Sequence, residues 1–136
     1  MAASAKTKET VWDITLLITR LGSSALMLTH GWPKLMKLIE GGEIKFADPL
    51  GIGEMPSLVL TTFAEVLCAV LVGIGLKTRL AAIPLLITMI TVAFVVHSGD
   101  PIRKSEASLL YLIIYLVILV KGAGKFSFDY MVFGKK

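Results

Sequence analysis

The chain has 136 residues, of which 55% are hydrophobic, with a mean hydropathy of +0.79 and a formal net charge of +4. That length suits one domain rather than two, and the apolar share exceeds the roughly 45–50% of a soluble domain, a figure that also counts Gly. Lys and Arg sit scattered at the ends of apolar runs, with no basic stripe and no interleaved aromatics, which speaks against nucleic acid as a partner.

The first run begins behind Lys6 and Lys8 and so mimics a secretory leader. It is too long for one, contains Asp13 and Arg20, and lacks a small-residue cleavage site, so a retained helix over Val11–Thr29 is expected. A bilayer core takes about 20 apolar residues of helix. Further spans are predicted over Ser57–Leu76, Leu80–Val96 and Ser105–Lys121, with Pro84 bending the third. Four such runs leave too little polar chain to cover them in water. The predicted fold is an all-α membrane protein, a four-transmembrane-helix bundle forming a single domain over 1–136. Cys68 is the only cysteine and lies in the second run without CxxC or Cys/His spacing, so thiol–disulfide exchange within the chain and a structural zinc site are not expected.

The connections are uneven. Lys77-Thr78-Arg79 reads as a tight link and Ser98–Lys104 as a short turn marked by Gly99, Asp100 and Pro101. The long Gly31–Pro56 stretch contains Pro33, suited to the first turn of a helix, and then Lys34–Glu40, where charges alternate with Leu35, Met36, Leu38 and Ile39. This predicts a short interfacial helix between helices one and two, anchored by Trp32. For orientation, Lys6, Lys8, Lys77, Arg79, Lys121, Lys125, Lys135 and Lys136 fall on one side. Lys34, Lys37, Lys45, Arg103 and Lys104 fall on the other. The excess places both termini in the cytoplasm.

Two charges fall where lipid disfavours them. Counted from the expected outer helix ends, Arg20 and Glu65 are both roughly 12–14 Å deep. Opposite charges at one depth on consecutive helices should form an ion pair, the guanidinium bridging both carboxylate oxygens. The pair fixes helix register or, alternatively, forms the polar floor of a ligand pocket or a step in a proton path. An outer polar cluster is expected from His30, Lys34, His97, Asp100 and Glu106. It is read as polar capping of helix ends, or as a site for a headgroup, quinone or small solute. Paired histidines also admit haem, disfavoured because the His residues end helices and nothing else shapes a haem slot, or a divalent metal held by His30, His97 and a carboxylate, which is also not favoured. Tyr111 and Tyr115, four apart, share a helix face and either pack between helices or face a ligand. Gly122-Ala123-Gly124-Lys125 is not a phosphate loop, since Leu119 stands where Gly is needed and no Ser or Thr follows Lys125.

An ordered set of fragments resembles the DoxX family of small four-helix bacterial membrane proteins. It comprises Arg20 with His30-Gly31 and Lys34; Glu65 leading into Gly73-Ile74-Gly75-Leu76-Lys77-Thr78-Arg79-Leu80-Ala81-Ala82; Glu106 before Leu109-Leu110-Tyr111-Leu112; and Gly122–Asp129. The resemblance carries Arg20, His30, Lys34, Glu65 and Glu106 as family positions. It implies a link to quinone-dependent sulfur oxidation and membrane oxidoreductase complexes, with other membrane or peripheral subunits as partners. The chain itself holds no flavin or metal motif and no covalently bound cofactor is expected, so the implied role is a quinone-docking or non-catalytic subunit. The alternatives are a scaffolding subunit without redox chemistry and a small-solute binder or carrier. The last is weakened by the lack of paired, Gly/Pro-broken helices.

Overall fold

The computed structural model describes residues 2–134. Helix α1 runs Ala2–Glu40, α2 Glu54–Ile74, α3 Thr78–Val96, α4 Ile102–Lys121, and a short α5 covers Phe128–Phe133. The described residues contain no strand. α1 packs along α2, α2 along α3 and α3 along α4, and α4 returns to α1, closing a ring of four helices. Three of them (α1, α2 and α3) are long and apolar enough to cross a membrane. α4 has the length, at 20 residues, but begins Ile102-Arg103-Lys104-Ser105-Glu106, so charge dilutes its first turns.

Helix α1 corrects the expected break after Thr29. It passes through Pro33 without interruption and takes in Lys34–Glu40 as its last turns, so the interfacial segment is not a separate helix. Proline removes one backbone donor, a loss that helices supported by neighbours tolerate. Upstream, Ala2–Thr10 is polar and exposed yet helical, with the Thr7 and Thr10 hydroxyls bonding the carbonyls four residues back. An apolar-run criterion cannot detect such a segment.

The core is built largely of small side chains where α2 and α3 meet: Ala64, Cys68, Ala69, Val72, Ala81 and Ala82, with Met27, Leu85, Met89, Tyr115 and Ile118 filling around them. Small residues allow helices to approach closely where apolar burial is no driving force. Gly31 marks a close backbone approach between α1 and α2, since a Cβ there would lie 2.7 Å from the Glu65 carbonyl oxygen. Large apolar residues such as Ile18, Leu26, Phe94 and Val120 point outward instead, the arrangement a lipid-facing surface requires. The middle turn of α2, Phe63–Cys68, and the last turn of α3, Val92–Val96, are π-helical.

After α4 the chain crosses the end of the bundle as a strap. Gly122, Ala123, Gly124 and Ser127 are buried in it. The Lys125 N–H donates to Asp13 Oδ1 at 3.1 Å, and the Asp129 N–H to the Gly75 carbonyl at 2.7 Å. Both Asp129 carboxylate oxygens then accept backbone N–H groups at the start of α3, from Lys77 at 2.7 Å and Thr78 at 2.9 Å. Helix starts leave such donors orphaned, and a carboxylate there also meets the positive end of the helix dipole. Asp129 thus caps a helix 51 residues away in sequence. Asp129→Ala is expected to cost about 0.5–2 kcal/mol, read as a lowered thermal midpoint in mild detergent. Asp129→Asn, which keeps an acceptor, should lose less.

Candidate binding site

The four helices and the loop after α1 enclose a cavity of about 340 Å³. α1 lends it Met27, His30 and Lys34, and α2 lends Ser57, Leu60, Thr61 and Glu65. α3 supplies Ile87, Thr88, Thr91, Val92 and Val96, α4 supplies Ser108 and Tyr111, and Phe46–Ile52 forms the roof. The walls are mainly apolar, and each of the four helices adds one or more polar groups to them.

The central polar feature is an ion pair between Lys34 Nζ and Glu65 Oε2 at 2.5 Å, with Glu65 buried and the Lys34 side chain 24% exposed. Lys34 Nζ also donates to the His30 carbonyl at 3.1 Å. Beside it the His30 ring meets Tyr111 edge-on, centroids 5.9 Å apart, and Tyr111 stacks on Tyr115 at 6.0 Å. Tyr115 is fully buried, and its hydroxyl has no hydrogen-bond partner. Glu65 lies in the π turn of α2, a distortion frequent at functional sites.

The roof is held by Asp48. Its Oδ1 accepts the Ile52 N–H at 2.9 Å and the Ser57 hydroxyl at 3.0 Å, and its Oδ2 accepts the Gly53 N–H at 2.9 Å. Partial desolvation works against the carboxylate, but the Gly53, Ser57, Ile52 and Gly51 donors outweigh it and hold Asp48 below its ordinary range. Lys37 ties the loop to α1 by donating to the Lys45 carbonyl at 2.8 Å. Nothing in the irregular Gly41–Gly53 sequence singled out Asp48 beforehand; an Asp four to five residues ahead of two loop N–H groups is the signal that was there.

Arg20 and Glu65 are not brought together. Arg20 is fully buried at the other end of the bundle, where its Nη1 donates to the Gly73 carbonyl at 3.0 Å and the Val72 carbonyl at 3.3 Å, and its Nη2 to the Phe126 carbonyl of the strap at 2.5 Å. The antiparallel register explains the separation. Ser24 bonds the Ala69 carbonyl and Gly31 abuts Glu65, so Arg20 falls opposite residues 72–73. The equal-depth estimate failed because it ended α1 at Thr29, whereas the helix runs on to Glu40.

The expected outer cluster also divides. His30 and Lys34 line the cavity. His97 instead bonds Asp100 through Nδ1 at 2.9 Å, and Asp100 meets Lys104 at 3.3 Å, in the exposed turn between α3 and α4. Hydrogen bonds from His97 and Lys104 hold the Asp100 carboxyl below its usual range. Glu106 is exposed and contributes to neither group. Among the described residues no three His, Cys, Asp or Glu side chains are placed to share a metal ion.

A family model described as DoxX matches residues 15–98. The matched stretch takes in α1 from Thr15 together with α2 and α3, and so includes Arg20, His30, Lys34, Glu65 and His97. Glu106, Tyr111, Tyr115 and the strap fall beyond it. No curated protein and no solved structure matches the chain.

Proposed function

Because the chain belongs to the DoxX family of membrane proteins, we propose that it serves as an integral membrane subunit of a quinone-linked oxidoreductase system, with the cavity between its helices as the quinone seat. The observation that carries this reading is the cavity's makeup. Apolar walls suit a quinone ring and the start of its tail, while the Lys34 ammonium, the Tyr111 hydroxyl and the His30 ring cluster where a ring carbonyl needs a donor. In this reading α4 is the fourth span, since the ring of helices closes only with it. The chain lies in a bacterial inner membrane with both termini in the cytoplasm. Lys135 and Lys136, which add to that charge balance, lie outside the described residues.

A second reading is a scaffolding subunit. It is favoured by the Lys34–Glu65 contact itself, which already neutralises both charges and needs no ligand to stand. Quenching of tryptophan fluorescence by a decyl-substituted benzoquinone, with the full chain in mild detergent, separates the two. Saturable quenching is expected for the wild type, weakened about fivefold in Tyr111→Phe, the equivalent of one hydrogen bond of about 1 kcal/mol. Linear, unsaturated quenching in the wild type would leave the scaffolding reading standing.

A further inference from the structure

We infer that the strap end of the bundle carries a binding site for the phosphate headgroup of an anionic phospholipid, separate from the cavity at the other end. A cleft of about 500 Å³ opens there between the start of α3 and the C-terminal segment, lined by Lys77, Thr78, Arg79, Leu80, Asp129 and Phe133 among others. Three observations converge on an anion. Lys77 and Arg79 flank the cleft, and among the described residues neither is paired with a carboxylate. Lys77 Nζ sits 4.5 Å from the centre of the Phe133 ring, and Arg79 spends one Nη2 donor on the Val120 carbonyl at 3.3 Å, so both cationic heads keep donors to give. The acidic residue in the wall, Asp129, has both oxygens turned to the backbone N–H groups of Lys77 and Thr78. Those two bonds turn its oxygens toward the helix start, and the buried Arg20 guanidinium lies near enough to share its charge. Thr78, only 1% exposed, contributes a side-chain hydroxyl that has no hydrogen-bond partner.

The surroundings identify the anion as a lipid. Leu80, beside the two cations, is 66% exposed, and α5 presents Phe128, Met131, Val132 and Phe133 outward with no residue buried. A free phosphate needs donors only, whereas a phospholipid brings acyl chains that cover Leu80 and the apolar face of α5. Basic pockets at the ends of membrane helices suit such headgroups, and each nearby Lys or Arg strengthens the attraction severalfold.

The test is native mass spectrometry of the full chain in maltoside, titrated with phosphatidylglycerol, phosphatidylcholine or inorganic phosphate. Wild type is expected to retain phosphatidylglycerol over phosphatidylcholine, and Lys77→Gln/Arg79→Gln to lose about thirtyfold of that preference. Lys77 has a φ of 50°, so its replacement also alters a strained turn. Arg79→Gln alone leaves that turn intact and should lose about fivefold. Lys8→Gln, on the exposed stretch of α1 at the same end, should change little. Equal retention of both lipids by wild type, or a loss in Lys8→Gln as large as in Arg79→Gln, would overturn the site. Binding of inorganic phosphate as tight as that of the lipid would overturn the lipid assignment.

Discussion

Arg20→Met is expected to reduce the folded yield of the chain severely, with a loss of about 3–5 kcal/mol. The guanidinium is fully buried and holds three carbonyls from two elements far apart in sequence: Val72 and Gly73 at the end of α2, and Phe126 in the strap. Removing it leaves these acceptors in a site with little water, and each unsatisfied buried polar group costs about 1–3 kcal/mol. Lysine is no substitute, because a single ammonium cannot span acceptors on two sides as the planar fork does. The setting admits no rearrangement either. Gly75, at φ +76°, has no Cβ, and one placed there would collide with the guanidinium and with Ser127. Glu65 plays no part in this site, so Arg20→Met and Glu65→Leu should combine additively within about 0.5 kcal/mol. The measurement is denaturant or thermal unfolding of the singles and the double in one detergent. A double variant whose stability departs markedly from the sum of the two single changes would show coupling and contradict the separation.

Coupling is expected instead between Lys34 and Glu65. Lys34→Met leaves the Glu65 carboxylate buried with no cation and should cost about 3 kcal/mol. Lys34→Met/Glu65→Leu removes both charges and should regain most of that loss, because two well-packed apolar side chains often match a buried pair. The same double variant should lose saturable quinone quenching if the cavity is a quinone site. If it keeps full affinity while folding well, the pair is architectural only. Stability and binding are then read from one set of proteins, and neither result can be mistaken for the other.

These two expectations show where sequence reading succeeds and where it stops. The apolar runs marked the bulk of α2, α3 and α4 because bilayer length and hydropathy are local properties, legible in consecutive residues. The buried charges were also legible as individuals: Arg20, Lys34 and Glu65 stand out against their neighbours. Their partners were not, because pairing depends on register, and register depends on where a helix ends in space. The polar last turns of α1 moved its end by about eleven residues, or three turns, and α2 begins at Glu54 rather than Ser57, so together they moved Glu65 from Arg20 to Lys34. The role of Gly122–Asp129 was hidden for a related reason. A fragment that crosses the bundle end to cap another helix has no periodicity of its own, and its carboxylate is matched to N–H groups that carry no side-chain signature.

The π turns of α2 and α3 have a further consequence. Each accommodates one residue beyond the α-helical count, and one residue corresponds to about 100° of rotation about the helix axis. The turn at Phe63–Cys68 therefore works as a phase shifter between two halves of one helix. Its C-terminal half is set by Ala69, Val72 and Gly73 against α1, and its N-terminal half is aimed separately, bringing Ser57 and Thr61 to the cavity wall. Loss of one residue between 63 and 68 would restore an ordinary helix and leave the Arg20 contacts in place, yet swing the N-terminal half by more than a quarter turn. For this segment, chain length is as much a determinant of the cavity's chemistry as the identity of any side chain, and comparisons between relatives that ignore single-residue gaps there would align residues facing different directions.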